Sequence, residues 1–499
     1  MSPIKYIQSD VITSPMPRLP ITLLSIATLW LSPSIYAEES ITARLESHVS
    51  FLAGDTLEGR LAGSQGNHAA GNYIVSKLIE YGVKPVDGQT DFYQLFGEGY
   101  RNIIGLIPGT APNNKTTVQY GAHYDHVGYG TKKTSLGEIG LIHNGADDNA
   151  SGTSAILELC RHFQKHPPSN NVLVVLWDAE ELGLLGSKHF VNAPVFPLDN
   201  ISLAVNVDMI GQLTDGTLEV HGSRSGIGLR SVIANANLDH RIPMEYKDKV
   251  VRNSDHYAFL EHEIPALMFH TGLHERYHRP ADDPDTLDYK GATRIVQFLI
   301  DFATALDNHN APFKFRNDCL QDHRAAIRLH DTGITDLLDT NGITASYVHG
   351  KPSHLRVTNV KNSASRPRNW PTTGAKISTI CNIPIDDIHG LGGAFQSLLD
   401  SPSLTFIPKR SAMRKTIKLQ PMKSVQVAGA HLISDLGDPR VFYVQQVIID
   451  SSSARMGISQ GDTLIPRHTR NTDVLDWLTR PKPRNAVFVE RNGSILLFK

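Results

Sequence analysis

Between His123 and His278 the chain carries imidazoles and carboxylates of the kinds that hold metal ions, each placed where an apolar run stops. They are His123 and Asp125 in GAHYDHVG, Asp147 in GADDNASG, Glu180 and Glu181 in WDAEELGLLGS, Asp208 in NVDMIG, and His278 in RYHRPADDPDTLDY. Such a set suits a pair of zinc ions about 3.5–4 Å apart, with one carboxylate bridging and another left free to act as a base. The chemistry this allows is hydrolysis by activated water.

Taken singly, these residues carry different weight. The spacing of His123 and Asp125 lets the carboxylate accept the second ring N–H of the imidazole and fix its tautomer, although the same pair also fits a surface loop. Asp147 and Asp148 stand before Asn-Ala-Ser-Gly, where they could cap the following helix; if Asp147 bridges two cations, Asp148 can still serve the cap. Glu180 and Glu181 repel one another unless a positive charge lies beside them, and a metal supplies it. One can then coordinate while the other takes a proton from water. Asp208, closing the apolar run ISLAVNV, needs a partner of opposite charge. His278 stands near His270 and His274, and spacing alone does not choose among the three.

These side chains need strand ends to bring them together. Short apolar runs at Asn102–Ile107, Thr117–Ala122, Val172–Trp177, Ile201–Val207 and Ala266–Phe269 read as strands, and Gly66–Tyr81, Gly152–Gln164 and Ala292–Leu306 as helices. Their alternation predicts an α/β unit with a mostly parallel central sheet flanked by helices. In such a sheet ligands collect outside the carboxyl ends of the strands, which is where His123, Asp125, Glu180, Glu181 and Asp208 fall. Asp147 and His278 lie in Gly- and Pro-containing loops that can reach across that edge. The segments Gly211–Asp255 and Phe269–Arg276 are expected to shape the substrate pocket.

The chain has 499 residues, enough for about three domains. A net charge of −2 with 20% charged residues gives no basic surplus to attract nucleic acid or an anionic membrane. Lys5 and Arg18, the apolar stretch from Leu19 to Leu31 and the small residue Ala37 read as a signal peptide over residues 1–37, so the protein is expected to be exported, either periplasmic or secreted. No later stretch is long enough for a stable membrane span. Cys160, Cys319 and Cys381 form no C-x-x-C pair, and Cys319 with Cys381 could close a disulfide in an oxidising compartment. After Asn308 the alternation ends. Residues 38–308 form the unit that carries the ligands and residues 309–339 a connector, helical around His323–Leu329. Residues 340–420 and 421–499 read as two imperfectly repeated β-rich modules.

Segments across residues 41–306, among them LAGDTLEGRLAGSQGNHAAGNYIVSKLIEYGVKP, GAHYDHVG, GADDNASG, EELGLLGS, NVDMIG and YHRPADDPDTLDY, resemble the secreted zinc-dependent aminopeptidases of the bacterial leucyl-aminopeptidase type. Glutaminyl cyclases and transferrin-receptor-like proteins are related to that family. The resemblance implies a zinc exopeptidase fold, one zinc held by His123, Asp147 and Asp208, and a second held by Asp147, Glu181 and His278. It also implies Glu180 as general base and Asp125 as the partner of His123. The implied activity is hydrolytic removal of N-terminal residues from peptides with a free N-terminus. Two other readings stay open: a glutaminyl cyclase-like acyltransferase using one zinc, and a non-catalytic binding protein of the transferrin-receptor branch. The β-rich modules resemble bacterial PDZ domains, most clearly in SSSARMGISQGDTLI, with HGLGG near Gly390 as a weaker match in the first; this implies a protein or peptide ligand bound by strand addition.

Overall fold

The computed structural model describes residues 39–498 except 112–115, 215, 248–249, 310–311, 318, 321–332, 349–353, 362–366, 368, 388–397, 399–400, 422–424, 436–437, 439, 468–473, 480–485 and 492–493. The expected signal peptide, the connector helix around His323–Leu329 and the HGLGG turn lie outside the described residues.

The apolar runs become the strands of one eight-stranded sheet. They are β1 (Tyr93–Phe96), β2 (Tyr100–Ile107), β3 (Thr117–His123), β4 (Asn171–Trp177), β5 (Ile201–Val207), β6 (Leu218–His221), β7 (Met244–Tyr246) and β8 (Ala266–His270), in the order β1-β2-β4-β3-β5-β8-β6-β7. Strands β4, β3, β5 and β8 run parallel. β6 and β7 are also parallel to each other, so most pairings are parallel, but the sheet is mixed because β2 pairs antiparallel with β1 and β4, and β6 antiparallel with β8. The reason lies in the connections. Gly97–Gly99 makes a tight hairpin, and the short segment from Asp208 to β6 turns the chain back from the edge where β5 ends, so β6 runs against β5 and β8.

Strand periodicity divides the core in two. Val172, Val174 and Leu176 of β4 face a cluster with helices α1 (Ile41–Leu52), α2 (Gln65–Glu80) and α3 (Gly152–Lys165), whereas Leu173, Val175 and Trp177 face Phe190 of α4 (Leu185–Asn192). Helices α5 (Leu229–Ala236), α6 (His256–Glu261) and α7 (Tyr289–Asp307) complete the two layers, α5 and α7 on the first side and α6 on the second. With both faces covered, β3 is buried along its whole length. The carboxyl ends of β3, β4 and β5 therefore share one edge.

Two antiparallel sheets follow. Strands β9 (Ile343–Val348), β10 (His354–Val360), β11 (Lys376–Ile380), β12 (Ile383–Pro384), β13 (Ser403–Ile407) and β14 (Lys415–Lys418) form one, and β15 (Val425–Val427), β16 (Ala430–Ser434), β17 (Phe442–Val447), β18 (Thr463–Pro466), β19 (Val487–Arg491) and β20 (Ser494–Phe498) the other. Each has its own apolar cluster. Cys319 packs beneath the first sheet's α4 side and Cys381 against the second sheet's core, so these two do not form the expected disulfide.

The last sheet is fixed to the ligand-carrying unit. Val441, Ile465, Phe488 and Ile495 cover Ala234 of α5, and beside them Arg224 donates to Asp435 at 3.0 Å, Arg230 to Glu490 at 2.5 Å, and Tyr443 to Asp435 at 2.6 Å. Burial works against ionisation of Asp435, but Arg224 and Arg230 hold its pKa down to about 2. A carboxyl depressed on folding adds stability above its unfolded value, and that stability is lost as the pH falls through about 2. Asp435→Asn should therefore lower unfolding stability by about 3–5 kcal/mol at pH 7, the scale of a broken buried pair. Urea titrations should show this gap shrinking below pH 4; a gap that does not change with pH would contradict the assignment.

Candidate metal centre

Three donors meet at the shared strand edge. His123 ends β3, Asp208 follows β5, and Asp148 stands in the turn before α3. His123 Nε2 lies 3.2 Å from Asp148 Oδ1 and 3.4 Å from Asp208 Oδ1. The other ring nitrogen, Nδ1, donates to the main-chain oxygen of Asp125 at 3.2 Å, so the Nε2 lone pair faces the carboxylates. Asp208 is oriented in turn by Ser254, whose hydroxyl donates to Oδ2 at 2.6 Å.

A second set forms on the other oxygen of Asp148. His278 Nε2 lies 3.1 Å from Asp148 Oδ2 and 3.1 Å from Glu181 Oε2. His278 Nδ1 donates to Thr134 O at 2.7 Å, which again fixes the tautomer that aims Nε2 inward. His126 joins this group, its Nδ1 2.9 Å from Glu181 Oε1.

The structure brings together His123, Glu181, Asp208 and His278, but places Asp148 and not Asp147 between the two sets. Asp147 points away from them. Its Oδ1 accepts from Gly211 N at 2.6 Å and Ser151 Oγ at 2.9 Å, while Oδ2 faces His274 Nε2 at 3.1 Å. It thus clips the start of α3 to the loop bearing His278. The turn decides between the neighbours: Asp282 accepts the main-chain N–H groups of both Asp147 and Asp148 at 3.1 Å, and the extended backbone at Asp148 (φ −102, ψ 92) turns the two side chains apart. Sequence spacing does not reveal that turn.

Asp125 also differs from expectation. Its Oδ1 is 3.7 Å from His123 Nδ1, too far for a hydrogen bond, since the ring N–H is taken by the Asp125 carbonyl. The carboxylate instead accepts the main-chain N–H groups of Glu180 at 3.0 Å and Glu181 at 3.3 Å. Asp125 therefore sets the position of the two glutamates.

Those glutamates are differently engaged. Glu181 is bonded by His126 and faces His278, and these imidazoles hold it below the ordinary glutamate range although burial opposes them. Among the described residues no group hydrogen-bonds the Glu180 carboxylate. Burial, then the charges of Glu181, Asp255 and Asp208, push Glu180 well above its ordinary range, against the pull of His123. Asp148 is held well below its range by His123 and His278 despite its burial. Two carboxyl groups with pKa values pushed apart are suited to opposite tasks, one to bind cations and one to exchange a proton.

Sequence reasoning passed over three residues here. Arg60, 1% exposed, donates to the carbonyls of Tyr124, Leu52, Asn144 and Gly145 and so joins the β3 end to the Asp148 turn. Arginine reads as a surface residue, and only its place in the resembling segment LEGR marked it. Asp282 and His126 were visible in YHRPADDPDTLDY and GAHYDHVG but had no spacing rule to select them.

The donors open on a cavity of about 430 Å³ lined also by Glu219, His221, Asn253, His270 and Leu273 from the two segments expected to shape the pocket, and by Met209 and Tyr277 from outside them. The geometry fits divalent cations. His278 Nε2 is buried and faces oxygens of Asp148 and Glu181 at 3.1 Å, a close cluster of donor atoms that a shared cation would hold together. The sets His126–Asp148–Glu181–His278 and His123–Asp148–Asp208 each bring their donor atoms within 4.8 Å of one another. Imidazole and carboxylate donors suit zinc.

Residues 102–303 match the family model described as Peptidase family M28. The chain is 29% identical over 226 residues to Leupeptin-inactivating enzyme 1 of Streptomyces exfoliatus, covering 44% of this chain and 46% of that protein. It is 32% identical over 122 residues to Aminopeptidase YwaD of Bacillus subtilis (strain 168), covering 24% of each. The chain thus spans less than half the length of these relatives. Among solved structures, Porphyromonas gingivalis glutaminyl cyclase aligns over 53% of this chain and 98% of its own, with 18% identity and a TM-score of 0.46.

Proposed function

We propose that this zinc-dependent hydrolase is an aminopeptidase that binds two zinc ions and removes N-terminal residues from peptides, with Glu180 as general base. The observation that carries the reading is Asp148, whose two oxygens face separate donor sets beside Glu180, a carboxylate that no group among the described residues hydrogen-bonds. Zinc, when bound, would make water acidic near neutral pH and polarise the scissile carbonyl.

The residues do the rest. His123, Asp208, Glu181 and His278 hold their lone pairs inward, and Asp125 fixes the Glu180 backbone through its N–H. A carboxylate with a raised pKa can take the proton from the attacking water and return it to the leaving amine. No covalent intermediate forms. Two donor sets sharing one carboxylate support hydrolysis over single-zinc cyclisation. Peptides with a free amine are expected to lose their first residue, while N-acetylated ones stay intact. Equal cleavage of both, or release from the carboxyl end, would contradict the aminopeptidase reading.

The N-terminal pattern supports export, and the two β-rich modules support recruitment of long peptides by strand addition. Removing residues 330–499 should then slow cleavage of a long peptide more than of a dipeptide. Equal losses would remove the recruitment role.

A further inference from the structure

We infer that His126 is a fourth protein ligand of the cation held by Glu181 and His278, so that one position of the pair is closed by four side chains and the other keeps an open face. The inference rests on the two-cation reading above.

His126 is fully buried and three residues beyond His123. Its Nδ1 lies 2.9 Å from Glu181 Oε1 and 3.8 Å from Asp148 Oδ2, while His278 Nε2 lies 3.1 Å from oxygens of the same two carboxylates. Tetrahedral zinc with bonds of about 2.0–2.1 Å sets its ligand atoms roughly 3.3 Å apart. The distances observed fall on either side of that value. The ring also has little freedom. A Cβ added at Gly145, where φ is 58°, would come within 2.5 Å of it, so the glycine turn packs directly on the imidazole. Among the described residues Nε2 is buried without a hydrogen-bond partner, and Nδ1 is the nitrogen through which the ring engages the site.

The other set has three protein donors, His123, Asp148 and Asp208. Sites closed by four protein ligands hold a metal in place, and those with three leave a position for water or substrate. The two cations therefore have unequal tasks, the His126 position anchoring and the His123 position exchanging ligands.

The alternative is that His126 Nδ1–H only donates to Glu181. Full-length protein labelled with ¹⁵N-histidine and loaded with two equivalents of ¹¹³Cd²⁺ separates the two by NMR. Three imidazole nitrogens should couple to cadmium: Nε2 of His123, Nε2 of His278 and Nδ1 of His126. Coupling at the first two alone would overturn the inference and leave the cation pair standing, whereas no coupling at all would overturn both. His126→Asn should reduce the count from three to two, and three couplings in that variant would also overturn it.

Discussion

Glu180→Gln is expected to lower kcat by about 10²–10⁴-fold, the range over which a positioned general base contributes. Glutamine keeps the shape and the main-chain hydrogen bond to Asp125, but cannot take a proton. Because no metal-facing contact in either donor set uses Glu180, the variant should bind zinc as the unaltered protein does. KM for a free-amine peptide should change little, since the loss falls on the transition state and not on ground-state binding. Zinc analysis and steady-state kinetics on one preparation check both halves. Near-normal turnover would remove the base role, and loss of zinc would make Glu180 a ligand.

Asp148→Asn should cost both cations at once. Asp148 offers Oδ1 to the His123 side and Oδ2 to the His278 side, and an amide replaces one oxygen with a donor that repels a cation. Zinc content after gel filtration in weak chelator should fall from two ions towards none, with activity falling in parallel. Asp147→Asn should keep both ions. Its loss is structural, weakening the contacts to Gly211, Ser151 and His274 by about 1–3 kcal/mol of stability. Asp208→Asn, touching only the His123 set, should loosen one ion. If Asp147→Asn stripped the metals and Asp148→Asn spared them, the bridge would belong to the other residue.

Strand ends were legible because two independent signals coincide there: an apolar run long enough for a buried strand, and a polar residue that such a run does not tolerate without a partner. His123, Glu181 and Asp208 come from that coincidence. Asp147 and Asp148 have the same side chain and adjacent positions, and which one faces inward depends on one backbone turn held by Asp282, a residue more than a hundred positions away. Asp125 failed for a related reason: spacing put its carboxylate within reach of His123, but two main-chain N–H groups after β4 compete for it and win. The sheet departs from parallel where short connections, and not side chains, set direction. Arg60 and the Arg224–Asp435 pair illustrate another limit, since charged residues are buried only when partners distant in sequence surround them.

Crystals of the zinc-loaded protein measured at the zinc absorption edge would test the shared carboxylate most directly. Two anomalous peaks about 3.5–4 Å apart, one on each oxygen of Asp148, are the expected result. A single peak, or a pair bridged by Asp147, would contradict it.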